Sequence, residues 1–134
     1  VNRAPTLLII DDDEGTLQTF AKVLALEGYD IRTALSPQVG LQEAEMANPD
    51  AILLDLRMPF INGLGFLYRL RARPEFHDVP VAIVTGDPCV DDAMVKELQE
   101  LGAHIKFKPL WIEDLVRLAR TLLSKPEPGS ALAS

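Results

Sequence analysis

Apolar residues gather in four short runs without polar alternation: Leu7-Leu8-Ile9-Ile10, Ala51-Ile52-Leu53-Leu54, Val81-Ala82-Ile83-Val84 and a weaker stretch from Ile31 to Leu35. Runs of this length suit strands buried on both faces, as in a parallel sheet covered by helices on its two sides. Each run is followed by a longer segment with apolar positions at helical spacing. Leu17, Phe20, Ala21, Leu24 and Ala25 form one such stripe, and Gly28 stops it. Leu41, Ala44 and Met46 mark a second helix, ended by Asn48-Pro49. Leu64, Leu67, Tyr68 and Leu70 mark a third, bounded by Gly63 and Pro74. Val90 to Leu101 gives a fourth, closed by Gly102, and Leu115, Leu118 and Leu122 a fifth. A last strand fits His104 to Phe107.

Strand and helix thus alternate five times, which predicts an α/β fold with a parallel sheet, right-handed crossovers and helices on both faces. In such sheets ligands bind beyond the carboxyl ends of the strands. The run Lys125-Pro126-Glu127-Pro128-Gly129-Ser130 reads as a linker or frayed end. The expected division is therefore one domain over residues 1–124 and a flexible tail, or the start of a linker, over 125–134.

Composition narrows the function classes. A chain of 134 residues suits one domain, and 48% hydrophobic with 25% charged residues excludes wholesale disorder. Thirteen Lys and Arg against 20 Asp and Glu leave a net charge of −7. That balance argues against a general nucleic-acid binder, which needs a basic surface. Cys89 is the single cysteine, so neither an intramolecular disulfide framework nor a multi-cysteine zinc site is expected. No apolar run approaches the roughly 18 residues that span a bilayer. The first residues, Val1-Asn2-Arg3-Ala4-Pro5, lack a signal-peptide pattern. The expectation is a soluble cytoplasmic protein that contacts neither membrane nor nucleic acid directly.

The chemistry gathers at the strand ends. Asp11-Asp12-Asp13-Glu14 follow the first run, Asp55 the third-strand run, Thr85-Gly86 the next, and Lys108-Pro109 the last strand. In a parallel sheet all four positions fall at one edge. Carboxylates crowded there repel one another unless a cation neutralises them. Hard oxygen ligands without His or Cys favour Mg²⁺, which keeps some waters and leaves room for a phosphoryl oxygen. A hydroxyl and an ammonium at neighbouring strand ends can hold further phosphoryl oxygens. Singly, each residue has an ordinary role: one of the acidic residues caps the next helix, and a lone Thr or Lys is structural or solvated. Asp55 fits such a role least well, because a charge ending a buried strand needs a partner.

At these residues the chain resembles the receiver domain of bacterial two-component response regulators. The matching stretches are Leu8-Ile9-Ile10-Asp11-Asp12-Asp13, Leu53-Leu54-Asp55-Leu56-Arg57-Met58-Pro59, Asn62-Gly63, Val84-Thr85-Gly86 and Lys108-Pro109. The resemblance implies a flavodoxin-like (βα)5 doubly wound sheet in strand order 2-1-3-4-5. It implies that Asp55 accepts a phosphoryl group from the phosphohistidine of a histidine kinase or histidine phosphotransfer protein. By the same resemblance Asp11, Asp12, Asp55 and the backbone carbonyl of Arg57 would bind Mg²⁺. Thr85 would contact the phosphoryl group and shift on phosphorylation, Lys108 would pair with a phosphoryl oxygen, and the Lys108–Pro109 bond would be cis. Such a domain is a phosphoacceptor with self-phosphorylation and autodephosphorylation chemistry rather than an enzyme. Its expected partners are the kinase, an output domain or effector, and a second copy docking through the fourth helix, last strand and fifth helix. Val90, Met94, Lys106, Trp111 and Glu113 are candidates on that face.

The chain departs from the family pattern in places. Ile105 stands three residues before Lys108, where Tyr or Phe is usual, and Phe107 is a candidate replacement. Lys106 falls where an apolar strand residue is usual, and Phe60 replaces a common Gly. Two rival readings stay open. A haloacid-dehalogenase-type phosphatase begins with a strand and Asp-x-Asp-Gly-Thr, close to Asp11-Asp12-Asp13-Glu14-Gly15-Thr16, but needs an acidic pair after the Lys and leaves Asp55 unexplained. A receiver-like module that is never phosphorylated would only bind partners. Both a stand-alone receiver and the receiver of a longer regulator fit the chain. In this reading His77 is exposed in a loop, Cys89 lies in a surface turn, Trp111 sits at the core edge rather than in a partner contact, and nothing marks His104 as catalytic.

Overall fold

A computed structural model describes residues 3–56, 60–86 and 91–124. Five strands and five α-helices alternate along it: β1 (Thr6–Asp11), α1 (Glu14–Leu26), β2 (Asp30–Ala34), α2 (Pro37–Ala47), β3 (Ala51–Leu56), α3 (Phe60–Arg71), β4 (Val81–Thr85), α4 (Asp92–Glu100), β5 (Ala103–Phe107) and α5 (Ile112–Leu123). A 3-10 turn, Pro74–Phe76, lies between α3 and β4. The strands are parallel in the order β2-β1-β3-β4-β5, as expected.

Strand periodicity divides the core into two layers. Leu8, Ile10, Ile52, Leu54, Val81 and Ile83 point to one side, where Ala44 of α2, Phe66, Leu67 and Leu70 of α3, and Leu98 of α4 cover them. Leu7, Ile9, Leu53, Ala82 and Val84 point to the other side, beneath Leu17 and Leu24 of α1 and Leu115, Leu118 and Leu122 of α5. Both faces of the central strands are dry, which is why their sequences run apolar without alternation. Truncating one of these side chains, Leu53 for example, removes packing worth roughly 2–5 kcal/mol.

Several boundaries and faces differ from expectation. The third helix begins at Phe60 and not after Gly63, which is buried inside it. Its buried stripe is Gly63, Phe66, Leu67 and Leu70, and Tyr68 lies on the far side, half exposed. Met46 is likewise turned outward on α2, at 74% exposure. The fourth helix spans Asp92–Glu100, shorter than Val90 to Leu101, because Asp91 caps it: its carboxylate accepts the Met94 N–H at 2.8 Å. Val90 and Cys89 lie outside the described residues, as do Arg57 and the tail 125–134. β5 starts one residue early, at Ala103.

Lys106 has a simple explanation. It pairs in register with Val84, and His104 with Ala82, so both face the α1/α5 layer. Helix α5 packs on α1, β3 and β4 and leaves that flank of β5 open, so both side chains are exposed. Ile105 points the other way and packs, partly buried, against the α4-side core. Phe107 shares its side of the strand but is mostly exposed.

Candidate functional site

Parallel register carries the strand-end residues to one edge. Asp11 and Asp55 are direct cross-strand partners on β1 and β3, and Leu56 pairs with Thr85 on β4. The two carboxylates share the α1/α5 face of the sheet, because Asp11 follows Leu7 and Ile9, and Asp55 follows Leu53, at steps of two. The Lys108 N–H extends the β5 ladder by donating to the Thr85 carbonyl at 2.8 Å, and the Lys108–Pro109 peptide is cis. The Lys108 ammonium thereby reaches Asp55, with Nζ 2.7 Å from Oδ1.

Burial makes this group unusual. Asp11, Asp55 and Thr85 are each at most 1% exposed, among the few polar residues in a core that is otherwise apolar. One Asp11 oxygen, Oδ1, accepts the Asp13 N–H at 2.9 Å. Asp11 Oδ2 and Asp55 Oδ2 are buried without a hydrogen-bond partner. A buried carboxylate oxygen left unpaired is costly, and native structures seldom tolerate one without a ligand or ion to satisfy it. Burial pushes the Asp11 carboxyl up to about 7, and the neighbouring Asp55 charge pushes the same way against the Asp13 hydrogen bond and Lys108. With both carboxylates ionised, the pocket would hold more negative charge than one ammonium balances.

The other predicted residues are placed as follows. Asp12, one step beyond β1, is exposed. Arg57 lies outside the described residues. Among the described residues no three carboxylate, imidazole or thiolate side chains already form a metal cage. Asp13 is the helix cap among the acidic run: its carboxylate accepts the Thr16 N–H at 2.9 Å and the Thr16 hydroxyl at 2.6 Å. Glu113 and Asp114 sit in the first turn of α5, where Asp114 accepts the Trp111 N–H at 3.2 Å and faces Arg117 at 3.5 Å. They are helix-start residues, which removes the acidic pair a dehalogenase-type phosphatase requires.

Two contributors escaped the sequence reading. The Asp13 N–H orients Asp11, a local contact signalled only by the Asp-x-Asp spacing. Gly86 borders the Lys108 stem: a Cβ there would stand 3.5 Å from Lys108 Cδ and 3.7 Å from Cβ, in ordinary van der Waals contact.

Comparison with known proteins agrees with this fold. A family model described as the response regulator receiver domain matches residues 7–120. The transcriptional regulatory protein PrrA of Mycobacterium leprae is 33% identical over 122 residues, covering 91% of this chain and 51% of PrrA. The transcriptional regulator RpaA of Synechocystis is 29% identical over 123 residues, again 92% of this chain and 51% of RpaA. The chain thus spans about half the length of these relatives. Among solved structures, a CheY-like receiver domain protein from Methanospirillum hungatei superposes with a TM-score of 0.78 at 25% identity, covering 90% of this chain and 94% of that one. The chemotaxis response regulator CheY4 of Vibrio cholerae shares the fold, with a TM-score of 0.79 at 24% identity over 90% of this chain and all of CheY4.

Proposed function

This chain belongs to the response regulator receiver domain family, and from that premise we propose that Asp55 is its phosphoacceptor, loaded from a histidine kinase or histidine phosphotransfer protein. The observation that carries the reading is the buried Asp55 carboxylate at a strand end, held on one oxygen by Lys108 and unpaired on the other. In the proposed reaction a carboxylate oxygen of Asp55 attacks the phosphorus of a phosphohistidine. The O–P bond forms as the P–N bond breaks, and the imidazole leaves with the bonding pair. The Lys108 ammonium neutralises oxygen charge next to the acceptor, and Thr85, one register step away on β4, is the group that would contact the phosphoryl oxygens. Phosphoryl transfer needs mostly such positioning and charge neutralisation.

The donor set fits Mg²⁺. Two buried carboxylates with orphaned oxygens suit a hard cation, which is commonly bound through one or two carboxylates and several waters. Asp11, Asp12, Asp55 and the Arg57 carbonyl would hold it, and when bound it supplies positive charge to the phosphoryl oxygens. With its carboxyl near 7, Asp11 is close to its midpoint at neutral pH, and a bound cation would favour its anionic form.

Phosphorylation then biases two arrangements of the face formed by α4, β5 and α5, through which an output domain, an effector or a second copy docks. Lys106, Trp111 and Glu113 are exposed there, and Met94 is partly buried. No helix among the described residues is long and apolar enough to cross a membrane. The test is direct. Incubation with acetyl phosphate or phosphoramidate and Mg²⁺ adds one phosphoryl mass to the intact protein, and Asp55→Asn abolishes the gain. A gain that persists in Asp55→Asn, or none in the wild type, overturns the assignment.

A further inference from the structure

Helix α4 is attached unequally along its length. Strand β4 ends at the pocket and α4 runs back from that edge, so its first turn lies on the pocket side and its last turn at the opposite edge of the sheet. Its fully buried side chain, Leu98, lies near its far end, and Leu101 packs beside it. Towards the pocket end the apolar anchor is Met94, only partly buried. The helix backbone packs closely on β5 and approaches α3 much less.

The gap to α3 is crossed by two long side chains, both reaching the far half of α4. The Tyr68 hydroxyl donates to Glu97 Oε1, and Arg71 Nε donates to the Leu101 carbonyl at 2.8 Å. Tyr68 and Arg71 are three residues apart on α3, and Glu97 and Leu101 four apart at the end of α4, so one face of each helix is joined to the other. Arg71 is fixed in turn. Its Nη1 donates to the Phe76 carbonyl at 2.8 Å and to the Val79 carbonyl at 2.7 Å, tying the guanidinium to the segment before β4. Gly102, at φ +83°, lets the α4–β5 turn close over it: a Cβ there would stand 3.2 Å from Arg71 Nη2. A planar guanidinium can serve three carbonyls from separate segments at once, which a lysine cannot.

We propose that the Tyr68–Glu97 and Arg71–Leu101 links form a clasp that makes the far end of α4 a pivot. Displacement of α4 from the pocket edge is then a swing of its first turns about Glu97 and Leu101, not a translation of the whole helix. A partner that discriminates the two arrangements reads the surface around Asp92 and Lys96, while the Glu100 end keeps one geometry. The inference goes beyond the phosphoacceptor reading, and its main test does not depend on it.

Amide hydrogen exchange on the unphosphorylated full chain tests the clasp. Val95 and Lys96 exchange faster than Leu98 to Leu101 in the wild type. Tyr68→Phe, a mild change at an exposed position, raises exchange at Leu98 to Leu101 about tenfold, the scale of one lost side-chain hydrogen bond, and leaves β1, β3 and α5 as protected as before. Arg71→Lys, which forfeits the three-carbonyl fork, raises it further. A uniform α4 in the wild type, or Tyr68→Phe and Arg71→Lys proteins whose exchange changes nowhere or everywhere equally, overturns the proposal. With beryllofluoride and Mg²⁺ as phosphoryl mimic, protection changes at Val95 and Lys96 in the wild type and spreads to Leu101 in Tyr68→Phe. Changes of equal size along the whole wild-type helix count against the pivot. Absence of any beryllofluoride effect counts against the phosphoacceptor reading alone, and the pivot is then decided by the exchange gradient.

Discussion

Asp11 shows how one buried carboxyl couples the site to stability. Its folded-state pKa of about 7 lies above the ordinary 3.8, so the native state holds this proton more tightly than the unfolded chain. A group shifted in that direction favours the fold while it stays protonated, and the contribution is lost as pH rises from 3.8 towards 7. At neutral pH without divalent cations, ionised Asp11 is therefore a destabilising charge, by a few kcal/mol at most. Asp11→Asn keeps the shape and removes the charge. In chelator-containing buffer the variant is expected to unfold at higher urea than the wild type at pH 7, with the advantage shrinking towards pH 4 (roughly the unfolded carboxyl's range). An advantage independent of pH, or one that grows as pH falls, would show that Asp11 is not the group responsible. The neighbouring acidic residues stand in other surroundings: Asp12 is exposed, and Asp13 is engaged as the α1 cap.

At the scale of elements, the close approach of α2 to β1 sets a tight tolerance. Gly40 lies on the buried face of α2, and a Cβ there would meet Ile10 Cδ1 at 2.4 Å and Cγ1 at 2.9 Å. Gly40→Ala gains helix propensity but forces this interface apart, for an expected net loss of about 1–3 kcal/mol. Ile10→Val deletes the Cδ1 that collides. It should cost about 1 kcal/mol alone yet recover stability in the Gly40→Ala background, a sign reversal that urea melts of the four proteins would reveal. Additive losses would place the strain elsewhere. The alternation of elements was legible because strands buried on both faces leave uninterrupted apolar runs. Helix edges were less so. Gly63 read as a boundary, yet it sits inside α3 where the helix presses on the core, and Tyr68 looked like part of an apolar stripe that actually follows Gly63, Phe66, Leu67 and Leu70. Arg71 carried no signal at all, because its acceptors are main-chain carbonyls at Phe76, Val79 and Leu101, brought to it only by the fold.

At the scale of the whole molecule, the pocket was legible for a topological reason: parallel strands deliver their carboxyl ends to one edge, so residues 11, 55, 85 and 108, far apart in sequence, had to meet. What the sequence could not disclose was how completely Asp11 and Asp55 are buried, or that two of their oxygens go unpaired. This turns the chain's acidity into a measurable property. Of its net charge of −7, two negative charges belong to buried carboxylates at one sheet edge, with Lys108 as the cation paired to Asp55. A divalent cation that binds this edge in the native state, and not in the unfolded chain, stabilises the fold by mass action, about 2.7 kcal/mol at a hundredfold excess over its Kd. Millimolar Mg²⁺ is therefore expected to raise the thermal midpoint by several degrees. NaCl at matched ionic strength should do far less, since screening acts on all surface charges alike and barely on buried ones. Asp11→Asn should begin with the higher midpoint in chelator and lose most of the Mg²⁺ response, so that the two melting curves converge as the cation is added. A midpoint that follows ionic strength whatever the cation, or a response that survives both Asp11→Asn and Asp55→Asn, would mean that the buried pair is not where Mg²⁺ binds.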